Sequence, residues 1–189
     1  MAVYFYGCMS LDGYLADKNH EISWLHELGS VEETSYESFY QEMDVLLLGK
    51  KTYDEIKDMD NLEDFYGPTE NIVFTHEKGL ESPLFKFVSE DVVAFVESLP
   101  KDKNVWVVGG NTLIAPLLDK GLIETMYVQV APVLLGEGVP LFTQKEGKQL
   151  FDLVEVKQYG QFAELILKKQ LSKMRSLFVL SKILSLSKL

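Results

Sequence analysis

Two glycine-bearing segments place backbone amides and cations where an anion can be held. Val105-Trp106-Val107-Val108-Gly109-Gly110-Asn111-Thr112 reads as an apolar strand, a glycine pair and the start of a helix. Glycines at that junction let a diphosphate approach the backbone, and the free N–H groups of the helix's first turn face the anion. A Gly-Gly pair also makes an ordinary tight turn between strand and helix. Gly49-Lys50-Lys51-Thr52 repeats the arrangement after Val45-Leu46-Leu47-Leu48. It sets glycine, two cations and a hydroxyl at a strand's carboxyl end, the edge along which open α/β sheets bind ligands. Those groups suit a second phosphate, such as the 2′-phosphate of NADP, or else form a solvated lysine pair. Cations at a helix N-terminus oppose the helix dipole, and a bound anion relieves that mismatch. Thr75-His76, ending another strand, adds a hydroxyl and an imidazole for the same phosphate.

Ser10-Leu11-Asp12-Gly13-Tyr14-Leu15-Ala16 leaves the first strand and precedes Trp24. A carboxylate at a strand end beside an aromatic group orients or protonates a substrate, although Asp-Gly is also a common turn pair. Other chemistries lack their residues. His20, His26 and His76 have no metal-ligand spacing and there is no cysteine cluster, so no metal site is expected. Gly-x-Ser-x-Gly, a Walker loop and the Gly-x-Gly-x-x-Gly fingerprint are all missing after strands; Gly136-Glu137-Gly138 is followed by Val139-Pro140 rather than by a helix.

The elements that must position these residues follow from hydrophobic spacing. Residues 2–9, 45–48, 71–75, 85–88, 105–108, 125–135 and 162–168 read as strands, with Pro132 marking a bulge or irregular edge. Tyr36, Phe39, Tyr40 and Met43 share one face of a helix over 32–43, and a short acidic helix follows Gly49. Ser89 caps a helix carrying Val92, Val93, Phe95, Val96 and Leu99. Asn111 or Thr112 opens another, with Pro116 near its start and Gly121 closing it. Strands and helices alternate through residue 121 and strands alone follow. The fold class is therefore α/β, a mainly parallel central sheet flanked by helices and finished by an antiparallel hairpin.

The chain has 189 residues, which fits one domain over 1–169 and a different tail over 170–189. Against 18 basic residues stand 29 acidic ones, and the tail residues Lys173, Arg175, Lys182 and Lys188 have no acid among them. A body that acidic is repelled by phosphate backbones, so no nucleic-acid partner is expected. The Leu-, Ser- and Lys-rich tail is too polar for a membrane span; it forms a helix on a membrane or partner, or a poorly ordered extension. Cys8 is the single cysteine and there is no basic region before the first apolar run, which suits a reducing, cytoplasmic location.

Taken in order, these pieces resemble the dihydrofolate reductase-like superfamily, in its branch of the reductase (C-terminal) domain of the riboflavin-pathway deaminase-reductase (RibD) and its stand-alone relatives. The resemblance rests on Ser10–Ala16, Ser23-Trp24, Asp44–Tyr53, Val107–Leu113 and Pro132–Phe142. It implies a three-layer fold with NADPH across the strands' carboxyl ends. Val108, Gly109, Gly110, Asn111, Thr112 and Leu113 would hold the diphosphate, and Gly49, Lys50, Lys51, Thr52 and Thr75 the adenosine phosphate. Cys8, Leu15 and Ala16 would line the nicotinamide side. Asp12 is the candidate catalytic residue, and Trp24, Tyr36, Tyr40 and Gln129 would border the substrate. The implied activity is hydride transfer to a C=N or C=O carbon of a pterin- or aminopyrimidine-like heterocycle, in a homodimer joined through its C-terminal strands. A binding or sensing module that keeps NADPH without turnover is the alternative. Two departures bear on the substrate. The helix before Gly49 reads Glu32-Glu33-Thr34-Ser35-Tyr36-Glu37-Ser38-Phe39-Tyr40, without the arginine that grips a sugar phosphate. Glu33 or Glu37 is the place for a protonating acid of the dihydrofolate reductase kind.

Overall fold

Val45-Leu46-Leu47-Leu48 is apolar at every position because its strand is covered on both faces, and none of the four is more than 1% exposed. The structure, a computed structural model, describes residues 1–29 and 34–170. In chain order the elements are β1 (Ala2–Ser10), β2 (Tyr14–Asp17), α1 (Ser23–His26), α2 (Tyr36–Tyr40), β3 (Val45–Gly49), α3 (Lys50–Ile56), α4 (Leu62–Tyr66) and β4 (Glu70–Phe74). There follow β5 (Phe85–Val88), α5 (Val92–Ser98), β6 (Asn104–Gly109), α6 (Asn111–Asp119), β7 (Thr125–Ala131), β8 (Gly138–Pro140), β9 (Phe151–Tyr159) and β10 (Phe162–Lys169).

Eight strands form one sheet in the order β5-β4-β3-β6-β1-β7-β10-β9. From β5 to β7 the pairs are parallel, and β10 runs antiparallel to both β7 and β9. The strands β2 and β8 make a separate antiparallel pair. The architecture is thus the α/β one expected, mainly parallel with a C-terminal antiparallel hairpin.

Alternation along β1 sends Val3 and Phe5 to one face and Tyr4, Tyr6, Cys8 and Ser10 to the other. The first face meets Val92, Phe95 and Val96 of α5 and Leu113, Ile114 and Leu117 of α6. The second is aromatic: Tyr6, Phe39 and Trp106 pack together, with Tyr36 and Tyr127 at the margin. A smaller group of Trp24, Ala131 and Phe162 packs over Cys8.

Several local expectations change. The helix expected over 32–43 is confined, among described residues, to Tyr36–Tyr40; Glu32 and Glu33 lie outside them. Asp91, not Ser89, caps α5, its carboxylate accepting from the Val93 and Ala94 amides at 3.0 Å each. Pro116 lies well inside α6 rather than near its start, so the bond its nitrogen would give to the turn before is lost. Gly121 does end α6: with φ +61° it donates to Leu118, while Leu122 donates to Leu117. The strand expected over 125–135 stops at Ala131, just before Pro132. The sequence reading omits β2, β8 and β9. The last is an edge strand whose residues are mostly exposed, so no buried face marks it. The expected tail segment 171–189 lies outside the described residues.

Candidate active site

The carboxyl ends of β1, β3, β4, β6 and β7 share one edge of the sheet, because these strands are parallel. There the two glycine segments meet. Leu48 pairs with Gly109, and a Cβ on Gly49 would stand 3.3 Å from the Gly110 nitrogen. Gly109 has φ +136°, a conformation side chains resist, and the Gly109–Gly110 peptide is cis. Gly110 is the N-cap of α6 in extended conformation, and no side chain caps the helix. The first-turn amides of Asn111 and Thr112 are therefore available to an anion. A Cβ on Gly109 or Gly110 would meet nothing within 4 Å, so the backbone faces open space. Open space, uncapped amides and a close glycine neighbour are what a dinucleotide's diphosphate requires. The Asn111 side chain is not free for it: its amide donates to the Pro140 carbonyl at 3.2 Å and ties the helix start to β8. Leu113 is buried and bonds back to Gly110, so it supports this turn rather than lining the opening.

The lysine pair is not as the sequence suggests. Lys50 Nζ lies 2.7 and 2.6 Å from the two Asp54 oxygens and 3.2 Å from Glu77. The hydrogen bond that Lys50 donates to Asp54 is the main cause of its raised pKa. The dipole mismatch at the start of α3 is thus already answered by the chain's own carboxylates, and a phosphate here must displace them. Lys51 is exposed, and among the described residues no carboxylate pairs with it. Thr52 is partly buried beside it. Thr75 Oγ1 accepts the Glu77 amide at 3.1 Å and so helps aim Glu77 at Lys50; His76 is exposed nearby.

Asp12 proves to be a staple. One oxygen accepts the Ser10 hydroxyl at 2.6 Å, and the carboxylate also accepts the amides of Leu135 and Gly136, the latter at 2.8 Å. The Ser10 bond is the first cause of a lowered pKa, so Asp12 is ionised and a poor proton donor. It joins the turn after β1 to the loop after β7. Leu15 and Ala16 sit on β2: Leu15 packs on the α5–α6 side of the core, and Ala16 is buried in register with Val139.

On the aromatic face one row crosses the sheet, Cys8 beside Gln129 beside Glu164. Cys8 is partly exposed although its strand has neighbours on both sides, and burial still pushes its thiol up to about 12. Val108, also partly exposed, borders the same surface. Gln129 donates to the Tyr6 hydroxyl at 2.8 Å and to Glu164 Oε2 at 3.3 Å; Ser35 donates to that oxygen at 2.6 Å, and Tyr6 to Thr34. Burial raises the Tyr6 pKa to about 12. Tyr36 meets Tyr6 ring to ring at 5.8 Å and so reaches this network. Tyr40 does not: it stacks on Tyr36, and its hydroxyl donates to the Phe65 carbonyl in the α4 region. The structure therefore gathers Cys8, Trp24, Tyr36 and Gln129 and sets Tyr40 aside. Sequence reasoning missed Glu164, Tyr6 and Ser35. Glu164 had a signal: it falls between Phe162 and Ile166 in the inward phase of β10, where an apolar residue is the rule.

Known proteins are similar to this chain in sequence and fold. The RibD C-terminal domain model matches residues 3–164. YwjB of Bacillus subtilis (strain 168), an uncharacterised protein, is 30% identical over 162 residues, 85% of this chain and 93% of YwjB. YyaP of the same organism is 24% identical, covering 80% and 86%. A crystal structure of a Shewanella sp. PV-4 protein, named for riboflavin biosynthesis, superposes with a TM-score of 0.78 at 26% identity, over 90% of this chain and all of that one. The deaminase and 5-amino-6-(5-phosphoribosylamino)uracil reductase of Thermotoga maritima gives 0.68 at 15% identity, over 89% of this chain and 56% of the longer protein. That likeness is one of fold. With the family's pattern running from β1 into β10, the chain belongs to the RibD C-terminal domain family.

Proposed function

We propose that this chain is an NADPH-dependent reductase that passes hydride to a C=N or C=O carbon of a small heterocycle of the aminopyrimidine or pterin kind. The observation that carries the proposal is the cradle where Gly49 approaches Gly110 beneath the uncapped start of α6, with the partly exposed Cys8 and Val108 on the same sheet. NADPH bound there supplies the hydride. The chain's own groups do the rest. The amides of Asn111 and Thr112 hold the diphosphate, with the backbone of Val108, Gly109 and Gly110 leaving room. Lys51 meets the adenosine phosphate beside Thr52 and Thr75, joined by Lys50 once it parts from Asp54 and Glu77. Cys8 lines the nicotinamide side, while Leu15 and Ala16 back the turn that closes it. Trp24, Tyr36 and Gln129 border the substrate and exclude water. The Shewanella sp. PV-4 protein, 26% identical and named for riboflavin biosynthesis, supports a heterocyclic substrate. The test is NADPH oxidation, followed optically, with a panel of aminopyrimidines and pterins. Oxidation that depends on one of these rings supports the reading.

The Asp12 carboxylate, taken up by the Ser10 hydroxyl and the Leu135 and Gly136 amides, favours the second reading, a module that binds NADPH without turnover. Coenzyme binding without oxidation across the panel would select it. Among the described residues no helix is long and apolar enough to cross a membrane. We propose a cytoplasmic location on the ground that a reducing compartment keeps the single Cys8 thiol free. We also propose a homodimer through β9, whose exposed Leu153, Val154 and Val156 make an unusually apolar sheet edge.

A further inference from the structure

We propose that Glu164 and Trp24 form a two-sided clamp for the substrate ring, Glu164 accepting from a ligand N–H and Trp24 donating to a ring nitrogen or carbonyl. The proposal deepens the reductase reading and rests on it. Glu164 is 0% exposed; its Oε2 takes the bonds from Ser35 and Gln129, but its Oε1 has no partner. Trp24 is 9% exposed and its buried Nε1 also has no partner. Buried polar groups in folded proteins are nearly always bonded, so an orphaned acceptor and an orphaned donor call for an explanation. Among the described residues Gln149 Oε1 alone shares that state, and it lies by the end of α6.

The two orphans flank one surface. Trp24 packs in the cluster that includes Cys8, Ala131 and Phe162. Glu164 follows Phe162 by two residues, so both face the same side of β10, and Gln129 links Glu164 to the Cys8 row. Cys8, which packs with Trp24 and shares a row with Gln129 and Glu164, is partly exposed on an interior strand, which marks an opening in the layer over the sheet. Among the described residues no ammonium hydrogen-bonds Glu164. Lys157 stands opposite it on β9, yet its ammonium bonds Glu155 at 3.1 Å. A planar ring with an N–H donor and a nearby acceptor would satisfy both orphans; a purely apolar ring would leave both unmade.

The test uses the full chain labelled with nitrogen-15 at tryptophan. Its two tryptophans give two indole signals, assigned with Trp24→Phe; Trp106 already donates to the Tyr6 carbonyl at 3.4 Å. Diaminopyrimidine and its dimethyl analogue, matched in shape but lacking N–H groups, are titrated with and without NADPH. The expected result is a downfield shift of the Trp24 signal by the diamino ring, which binds about tenfold more tightly than the dimethyl ring. Glu164→Leu should abolish that preference and Glu164→Gln, which keeps an oxygen, should restore part of it. Glu164→Leu also loses the Ser35 and Gln129 bonds and should lower the ligand-free melting temperature, whereas Glu164→Gln keeps an acceptor for them and should melt close to wild type, so the ring preference and not stability reads the clamp. Equal binding of the two rings, no binding of either, an unmoved Trp24 signal, or a preference left intact in Glu164→Leu each overturns the clamp. Failure of NADPH itself to bind counts instead against the reductase reading.

Discussion

Lys50 shows how a plausible phosphate ligand is already spoken for. Asp54 sits one helical turn on, where i,i+4 pairs meet, and Glu77 arrives from the loop after β4. The Asp54→Asn, Glu77→Gln double variant frees this ammonium and should tighten NADPH by roughly threefold to tenfold over wild type, with NADH little changed. Lys51→Ala should weaken NADPH by a similar factor; calorimetry with both coenzymes reads both effects, and equal changes for NADPH and NADH would remove the phosphate assignment. Asp12 is the other residue whose partners redefine it. Its folded pKa is depressed, so its contribution to stability is present above the unfolded carboxyl value of about 3.9 and is lost as pH falls through the lower folded value. Asp12→Asn should therefore lower the melting temperature at neutral pH, and the gap from wild type should close below about pH 4. A gap that persists in acid would show that the staple does not depend on charge. Residue types at strand ends were legible in the sequence, but their partners were not. Asp12 finds Leu135 and Gly136 through the fold, and Lys50 finds Glu77 the same way.

Helix starts decide function and stability differently in α5 and α6. The Asp91 carboxylate caps α5 with two bonds, so Asp91→Ala should cost about 1 kcal/mol, measured by urea denaturation, while Ser89→Ala should be nearly neutral. A larger cost for Ser89 would reverse the cap assignment. The sequence pointed two residues too early because Ser and Asp are both good caps, and only backbone geometry separates Ser89 from Asp91. By contrast, α6 begins on Gly110 with no side-chain cap, which leaves its amides to an anion. Helix α2 was visible in part. Its aromatic periodicity gave the right face, yet its helical turns stop at Tyr40, and Met43 reaches the core from beyond the helix. Tyr40 shares that face but its hydroxyl goes to Phe65, a contact that no periodicity foretells.

Across the whole molecule, covered strands were legible and uncovered ones were not. Unbroken apolar runs announce β3 and β6, whereas β9 mixes Glu155 and Lys157 with exposed Leu153, Val154 and Val156 and has no buried face to betray it. The same exposure supports pairing of two β9 edges. Val154→Lys with Val156→Lys should convert a dimer into a monomer by light scattering without unfolding it; a wild-type chain that is already monomeric would end the dimer proposal. The glycine cradle was legible as two separate motifs, but their meeting, Gly49 against Gly110, is a consequence of β3 and β6 lying side by side. That meeting carries the functional account, and titration calorimetry of Gly110→Val against the unaltered chain tests it most directly. Gly110 has φ −84° and open space at its Cβ, so the larger side chain should fit without the strain of a left-handed backbone. The account predicts that the unaltered chain binds NADPH more tightly than NADH and that Gly110→Val, still folded, loses both. Undiminished binding by the folded variant, or no heat from NADPH with the unaltered chain, would contradict it.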